Sequence, residues 1–327
     1  MQRPLAISLG DPAGIGPEVV LKAMRGLDIP VWLFGHWNSA RESVNSSELP
    51  ELTHLDHSPS ASSAPPGNLF IDLGGEVTVK FGELDARYGA IALDSIAAAA
   101  EAVEDFRCSA LVTAPINKLA IEAAGATVPG HTELLAARSG LARYGFDYAM
   151  YFDSPTLRVV LLSVHLPLAD AIRTITADLV EATILLTDRE YQRLYGSRPR
   201  IGVAGVNPHA GESGKFGSEE AVMLEGVKLA AAAGCQVSGP HAPDTVFLRA
   251  VRGSFDVVVA AYHDQGLIPV KTLDFERSVN VTLGLPYLRC SVDHGTAFEI
   301  AGKGLADSAP MRYAIEWASN HASALRR

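Results

Sequence analysis

Cysteine is scarce: three in 327 residues, Cys108, Cys235 and Cys290, an odd number at wide spacing. That excludes a disulfide framework and the paired spacing of a zinc ribbon, and leaves buried thiols as the reading. No apolar run is long enough to cross a bilayer, and the opening MQRPLAISLG lacks the hydrophobic region of a signal peptide. A cytoplasmic chain with no membrane partner is expected. Basic residues are outnumbered, 27 Lys and Arg against 37 Asp and Glu, for a formal net charge of −10. This excludes a general nucleic-acid binder but leaves room for a local cationic pocket. GxGxxG is also missing, so no standard dinucleotide fingerprint is present. What remains, 48% apolar and 20% charged, is ordinary globular composition, long enough for two domains.

What is present is a recurring pattern. Residues 255–261 (FDVVVAA) are apolar and valine-rich, as in a strand buried on both faces, and they deliver His263 with Asp264 beside it. Residues 157–164 (LRVVLLSV) lead to His165, and 200–206 (RIGVAGV) lead to Asn207, Pro208 and His209. Three predicted strands thus each place a histidine at the carboxyl end, where open α/β sheets bind their ligands. Three imidazoles and an open position make a catalytic site for a zinc-like metal. The alternative is three unrelated loop histidines; their recurrence weighs against it. The Gly/Pro-interrupted stretch 262–289 then carries Lys271, Arg277, Asn280 and Arg289. Cations spaced this way suit a small anionic substrate better than a core.

Periodicity elsewhere predicts strands at 5–9, 31–35, 68–72, 110–113 and 148–152, the last forming a hairpin with 157–164. Helices are predicted over 17–25, 88–105 and 311–324, and over 176–195 with Thr176 as cap and Gly196 as stop. Residues 38–68, rich in Ser and Pro, read as a surface excursion with His54 and His57 in solvent. The glycine turn at 10–16 is either an anion-holding amide cluster or a plain strand-to-helix turn. GHTE (130–133) opens a further helix, where His131 and Thr132 hold an anion or Thr132 merely caps. Glycines 211, 214 and 217 suggest a mobile loop before a helix begun by Glu219 and Glu220. A loop at 239–245 holds His241 and Asp244, the latter orienting a site group or capping the next helix.

Seven blocks then match a known pattern: GDPAGIGPEV (10–19), VTAPINK (112–118), GHTE (130–133), NPHAGE (207–212), YHDQGLIPVK (262–271), NVTLGLP (280–286) and SVDHGTAFEIAG (291–302). Together they resemble the 4-hydroxythreonine-4-phosphate dehydrogenase family of pyridoxal phosphate biosynthesis, over nearly the whole chain. GDPAGIGPEV also resembles the N-terminal glycine turn of the isocitrate and isopropylmalate dehydrogenases, and DHGTAFEIAGKG resembles the loop on which they bind the adenosine of NAD. The resemblance implies an α/β protein of two α/β/α lobes with an active-site cleft between them, isocitrate/isopropylmalate dehydrogenase-like. Residues 1–128 plus 294–327 would form lobe I on the NAD side. Residues 129–293 would form lobe II, with the metal ligands and the contact of a homodimer.

By the same resemblance, one divalent metal maps onto His165, His209 and His263; histidine-only ligation suits zinc or cobalt better than magnesium. Substrate contacts map onto His131, Thr132, Lys271, Asn280 and Arg289. NAD or NADP contacts map onto Asp293, His294, Gly295, Thr296, Ala297 and Gly302. Lys271 and Asp244 are the candidates for the proton shuttle. The implied reaction is NAD-dependent oxidation and decarboxylation of 4-phosphohydroxy-L-threonine to 3-amino-2-oxopropyl phosphate, carbon dioxide and NADH. Within the superfamily, oxidation of 4-phospho-threonate or -erythronate, or of an aromatic cis-dihydrodiol, is the alternative; an unphosphorylated dihydrodiol would leave the phosphate-binding cations idle. A three-histidine zinc hydrolase is a more distant alternative and would need no NAD site. A non-enzymatic binding module fits least, because so many polar residues converge on strand ends.

Overall fold

The computed structural model describes residues 3–60 and 62–322. Internal contacts divide the chain into two compact units, one running to Arg138 and resuming at Pro286, the other spanning Ser139–Leu285.

In the first unit, β1 (Leu5–Ser8), β2 (Val31–Gly35), β3 (Thr53–Leu55), β4 (Leu69–Asp72), β5 (Leu111–Thr113) and β12 (Arg289–Ser291) lie in the order β3-β4-β2-β1-β5-β12. Every neighbouring pair is parallel. Strands of such sheets are buried on both faces, so VWLFG reads as an unbroken apolar run and all five residues are buried. The helices are α1 (Gly16–Ala23), α2 (Trp37–Glu42), α3 (Ala86–Glu104), α4 (Lys118–Ala123), α5 (His131–Arg138) and α11 (Ala309–Ala322). α3 packs on β1, β2 and β5, and α11 on β12, β5 and β1. Strand β1 has β2 on one side and β5 on the other, so sheet growth reverses there. The carboxyl ends of β1 and β5 are therefore where a ligand crevice is expected. α1 is stapled to the C-terminal segment: buried Glu18 Oε1 accepts from Lys22 Nζ at 2.6 Å and from the Ala306 amide at 2.8 Å.

In the second unit, β6 (Ala149–Asp153), β7 (Arg158–Leu161), β8 (Arg200–Ala204), β9 (Gln236–His241), β10 (Val257–Ala260) and β11 (Val279–Leu283) lie in the order β11-β6-β7-β10-β8-β9. β6 pairs antiparallel with β7 and β11, whereas β7, β10, β8 and β9 run parallel. The helices are α6 (Leu168–Arg173), α7 (Ala177–Tyr195), α8 (Glu219–Ala232), α9 (Pro243–Val251) and α10 (His263–Asp274). The core joins Phe152, Val159, Leu161 and Val258 to Val246 of α9 and Leu267 and Val270 of α10. Gly266 lets α10 settle onto β7: a Cβ there would stand 2.5 Å from Leu161 Cδ2. Thr176 and Gly196 bound α7 as the sequence predicts, Thr176 Oγ1 accepting from the Leu179 amide at 3.1 Å and Gly196 taking a left-handed φ of 72°.

Several expectations change. The excursion at 38–68 contains most of α2 and all of β3, and His54 is not a plain solvated side chain. It stacks on Trp37 at 5.1 Å and approaches Asp72 Oδ2 at 3.5 Å. The stretch after His263 is a helix, despite Gly266 and Pro269. Within the stretch expected as a mobile loop, residues Pro208–Gly214 form a tight turn. β9 runs on to His241 and α9 begins at Pro243, so the loop expected at 239–245 is almost absent. Residues 323–324 of the predicted closing helix lie outside the described residues. No helix among the described residues is long and apolar enough to cross a membrane.

Candidate active site

The second unit presents the three histidines beyond strand ends. After β7, Leu162 and Ser163 stay tied to the end of the neighbouring strand β10, Leu162 donating its amide to Ala260 O at 2.8 Å and Ser163 Oγ donating to Ala261 O at 2.9 Å. His165 follows in the left-handed region, at φ 27°. After β10, His263 opens α10, and its Nδ1 lies 2.7 Å from Asp264 Oδ1. A carboxylate on Nδ1 fixes the tautomer and presents Nε2 outward, the usual support of a metal-ligating imidazole. The His165 and His263 rings are 5.7 Å apart between centroids. Both line one cavity of about 230 Å³ with Ser163, Tyr262 and Asp264. His209 stands exposed on the turn after β8, outside that lining. Among the described residues, no three His, Cys, Asp or Glu groups already stand close enough to enclose a metal ion. The donor set nonetheless fits a borderline cation: two imidazoles share a cavity and a third stands on a neighbouring loop.

Lys271 lies two helical turns beyond His263 on α10, half-buried, its Nζ 5.9 Å from the centre of the Phe275 ring. Asn280, on β11, is 9% exposed and its Oδ1 is sealed from solvent without a hydrogen-bond partner. Asp244 sits exposed in the first turn of α9, where its charge favours the helix start. Arg277 pairs at 3.3 Å with Asp274, three residues back.

The first unit brings together the other candidate substrate residues. Arg289 is 1% exposed at the start of β12, and its Nη2 donates to Thr113 Oγ1 at 2.6 Å. Burial pushes the guanidinium down to about 10, so it keeps its charge at neutral pH. His131, at the first position of α5, is held well below the ordinary imidazole range, chiefly by burial and then by Arg289. It is therefore neutral, and its Nε2 is sealed from solvent with no partner. Thr132 beside it is buried. A cation, a neutral imidazole and a helix start together have the chemistry that suits an anion. Sequence reasoning missed Thr113, although it lies in the VTAPINK block.

Also in the first unit, the glycine turn meets the segment singled out for NAD. The Ile15 amide donates to Thr296 O at 3.0 Å. His294 Nδ1 lies 3.1 Å from Gly295 O, its Nε2 is buried without a partner, and Ala297 takes a left-handed φ of 41°. An orphaned ring nitrogen beside a strained residue suits a bound polar ligand. Asp11, in the same turn, is 1% exposed; its Oδ1 accepts from the Ala13 amide at 2.9 Å and its Oδ2 has no partner. Burial raises its carboxyl from 3.8 to about 6 despite the amide bond. A raised folded-state value means that the stability contribution is present below pH 3.8 and lost as pH rises through 6. Asp11→Asn keeps the acceptor and removes the buried charge. Thermal denaturation is expected to show a gain of about 3 kcal/mol at pH 8 that vanishes near pH 4. The same gain at both pH values would reject desolvation of Asp11 as its cause.

Comparison with known proteins places the chain. A family model described as "Pyridoxal phosphate biosynthetic protein PdxA" matches residues 29–318. A 4-hydroxythreonine-4-phosphate dehydrogenase of Desulfosudis oleivorans is 40% identical over 334 residues, covering 99% of this chain and 97% of the relative. A D-threonate 4-phosphate dehydrogenase of Salmonella typhimurium is 41% identical over 322 residues, covering 96% and 97%. The crystal structure of 4-hydroxythreonine-4-phosphate dehydrogenase from Klebsiella pneumoniae aligns with a TM-score of 0.88 at 40% identity, over 98% of each chain. The protein is a dehydrogenase of mixed α/β architecture. The chain belongs to the PdxA family of pyridoxal phosphate biosynthetic proteins.

Proposed function

We propose that this chain oxidises and decarboxylates 4-phosphohydroxy-L-threonine to 3-amino-2-oxopropyl phosphate and carbon dioxide, reducing NAD or NADP, in pyridoxal phosphate biosynthesis. The observation that carries the reading is the buried guanidinium of Arg289 next to the neutral His131. A desolvated monocation is best matched by a phosphate or carboxylate, which a bidentate arginine grips in a fixed orientation. In the first unit, Arg289, His131 and Thr132 bind the anionic end of the substrate, and Asp293, His294, Gly295, Thr296, Ala297 and Gly302 bind the nicotinamide cofactor.

In the second unit, His165, His209 and His263 hold one divalent metal, zinc or cobalt ahead of magnesium. When bound, the metal supplies Lewis acidity and the cofactor the oxidising power. Asn280 Oδ1, a buried acceptor, orients a substrate donor such as the ammonium. Lys271 or Asp244 takes the alcohol proton; Lys271 shares α10 with His263, and Asp244 is open to solvent. The motif resemblance further supports a homodimer working in the cytoplasm. Family membership sets aside the hydrolase reading. It does not separate the amino acid from 4-phospho-threonate, because relatives named for either substrate match this chain about equally.

NADH formation at about 340 nm with each substrate, before and after chelation, tests the proposal. The expected result is preference for 4-phosphohydroxy-L-threonine, lost on chelation and restored by zinc or cobalt. Preference for 4-phospho-threonate would move the protein to a sugar-acid branch with the same chemistry. Full activity after exhaustive chelation would reject the metal.

A further inference from the structure

Two buried polar side chains occupy the base of the His209 turn. Glu220, 8% exposed in α8, accepts the Val206 amide at 2.9 Å and the Asn207 amide at 2.6 Å on Oε1, and Asn207 Nδ2 at 2.9 Å on Oε2. Gln265, 9% exposed in α10, donates from Nε2 to Gly205 O at 2.7 Å and accepts the Ala261 amide on Oε1 at 2.7 Å. One amide side chain thus ties the carbonyl just after β8 to the amide just after β10. Those are the two strand ends that lead to His209 and His263.

What these bonds hold is sterically disfavoured. His209, Ala210, Gly211, Glu212 and Ser213 all take positive φ, between 42° and 73°. Side chains with a Cβ resist that region, and only surroundings that over-determine the backbone keep them there. Gly211 also makes room for the carboxylate: a Cβ there would stand 2.8 Å from Glu220 Oε2. A buried carboxylate is a costly way to brace a loop unless its several acceptor sites are needed in fixed places.

We propose that Glu220 and Gln265 are positioning residues that set the His209 turn against the end of β10, so that His209 presents its imidazole to the metal; this rests on the metal reading above. Neither residue touches the metal. They act through the backbone that carries its ligands, as outer-shell partners do in metal enzymes.

The test is cobalt(II) titration of metal-free full-length protein, followed by calorimetry and by the visible absorption of the bound ion, which reports ligand number and geometry. Glu220→Gln and Gln265→Met are expected to weaken cobalt binding by about 10- to 100-fold and to alter the absorption bands. A purely structural role would lower the melting temperature and leave both readouts in place. Should either variant fail to fold, Gly211→Ala reaches the same carboxylate from the turn side and is expected to weaken cobalt binding likewise. Wild-type affinity and spectrum in the folded variants would overturn the inference alone. Absence of cobalt binding by the wild type would overturn the metal reading and this inference with it.

Discussion

Arg289→Met lowers kcat/KM by roughly a thousandfold, about 4 kcal/mol of transition-state binding, while the protein stays folded. The expectation follows from burial. Arg289 is 1% exposed and remains cationic, so a substrate anion meets it with little water to screen the attraction. Methionine fills similar volume without charge, which removes the desolvation cost of the buried guanidinium. Thr113 Oγ1 loses a donor, a minor cost for a hydroxyl that can rotate. Arg289→Lys separates charge from geometry: it keeps the cation but loses the planar fork, and is expected to recover only part of the activity. Steady-state kinetics with a melting curve for each variant decide the matter. A fall of less than tenfold for Arg289→Met would place the anion site elsewhere.

On the proposed metal reading, His209→Ala is expected to remove the metal and lower turnover by more than about a thousandfold, because two imidazoles hold a divalent ion against water and chelators less well than three. The fold is expected to survive. His209 is exposed on a turn whose hydrogen bonds run through Val206, Asn207 and Glu220 rather than through its ring. Alanine accepts a left-handed φ of 56° somewhat less readily than histidine, a small added backbone cost. Metal content by atomic emission and turnover after reloading with zinc check this. Near-normal turnover, with metal-stripped wild type inactive, would show that His209 is not a ligand.

The parts of the structure legible in the sequence are those decided locally. The Val-rich run of β10 has no alternation because both faces are buried, and hydrophobicity alone exposes it. The cap and stop of α7 are equally local. α10 was hidden because Gly266 and Pro269 argue against a helix until Leu161 and Val159 are known to lie beneath Gly266. β3 was hidden because its three residues, Thr53–Leu55, are exposed or half-buried and carry no apolar run. The left-handed turn at 209–213 has a single glycine and no sequence signature; Glu220 and Gln265 hold it, and Gln265 acts from 60 residues beyond Gly205. In the sequence Glu220 reads as an acidic residue that favours a helix start. That role is compatible with its place in α8 but misses the three donors that converge on it. The position of the three histidines beyond strand ends is legible because apolar runs lead to each; the contact of Asp264 Oδ1 with His263 Nδ1 is not.

The hydrogen bond between Thr113 and Arg289 joins residues 176 positions apart. A ribosome adds residues at roughly 5 to 20 per second, so Thr113 emerges roughly ten to thirty seconds before the arginine that completes its pocket. During that interval the whole of Ser139–Leu285, a contiguous stretch, is synthesised. The first unit meanwhile waits with the flank of β5 lacking β12, an exposed strand edge of the kind that invites wrong pairing. The surroundings of Arg289 are thus among the last features a nascent chain can assemble, and a truncated chain released before residue 289 contains His165, His209 and His263 without the arginine.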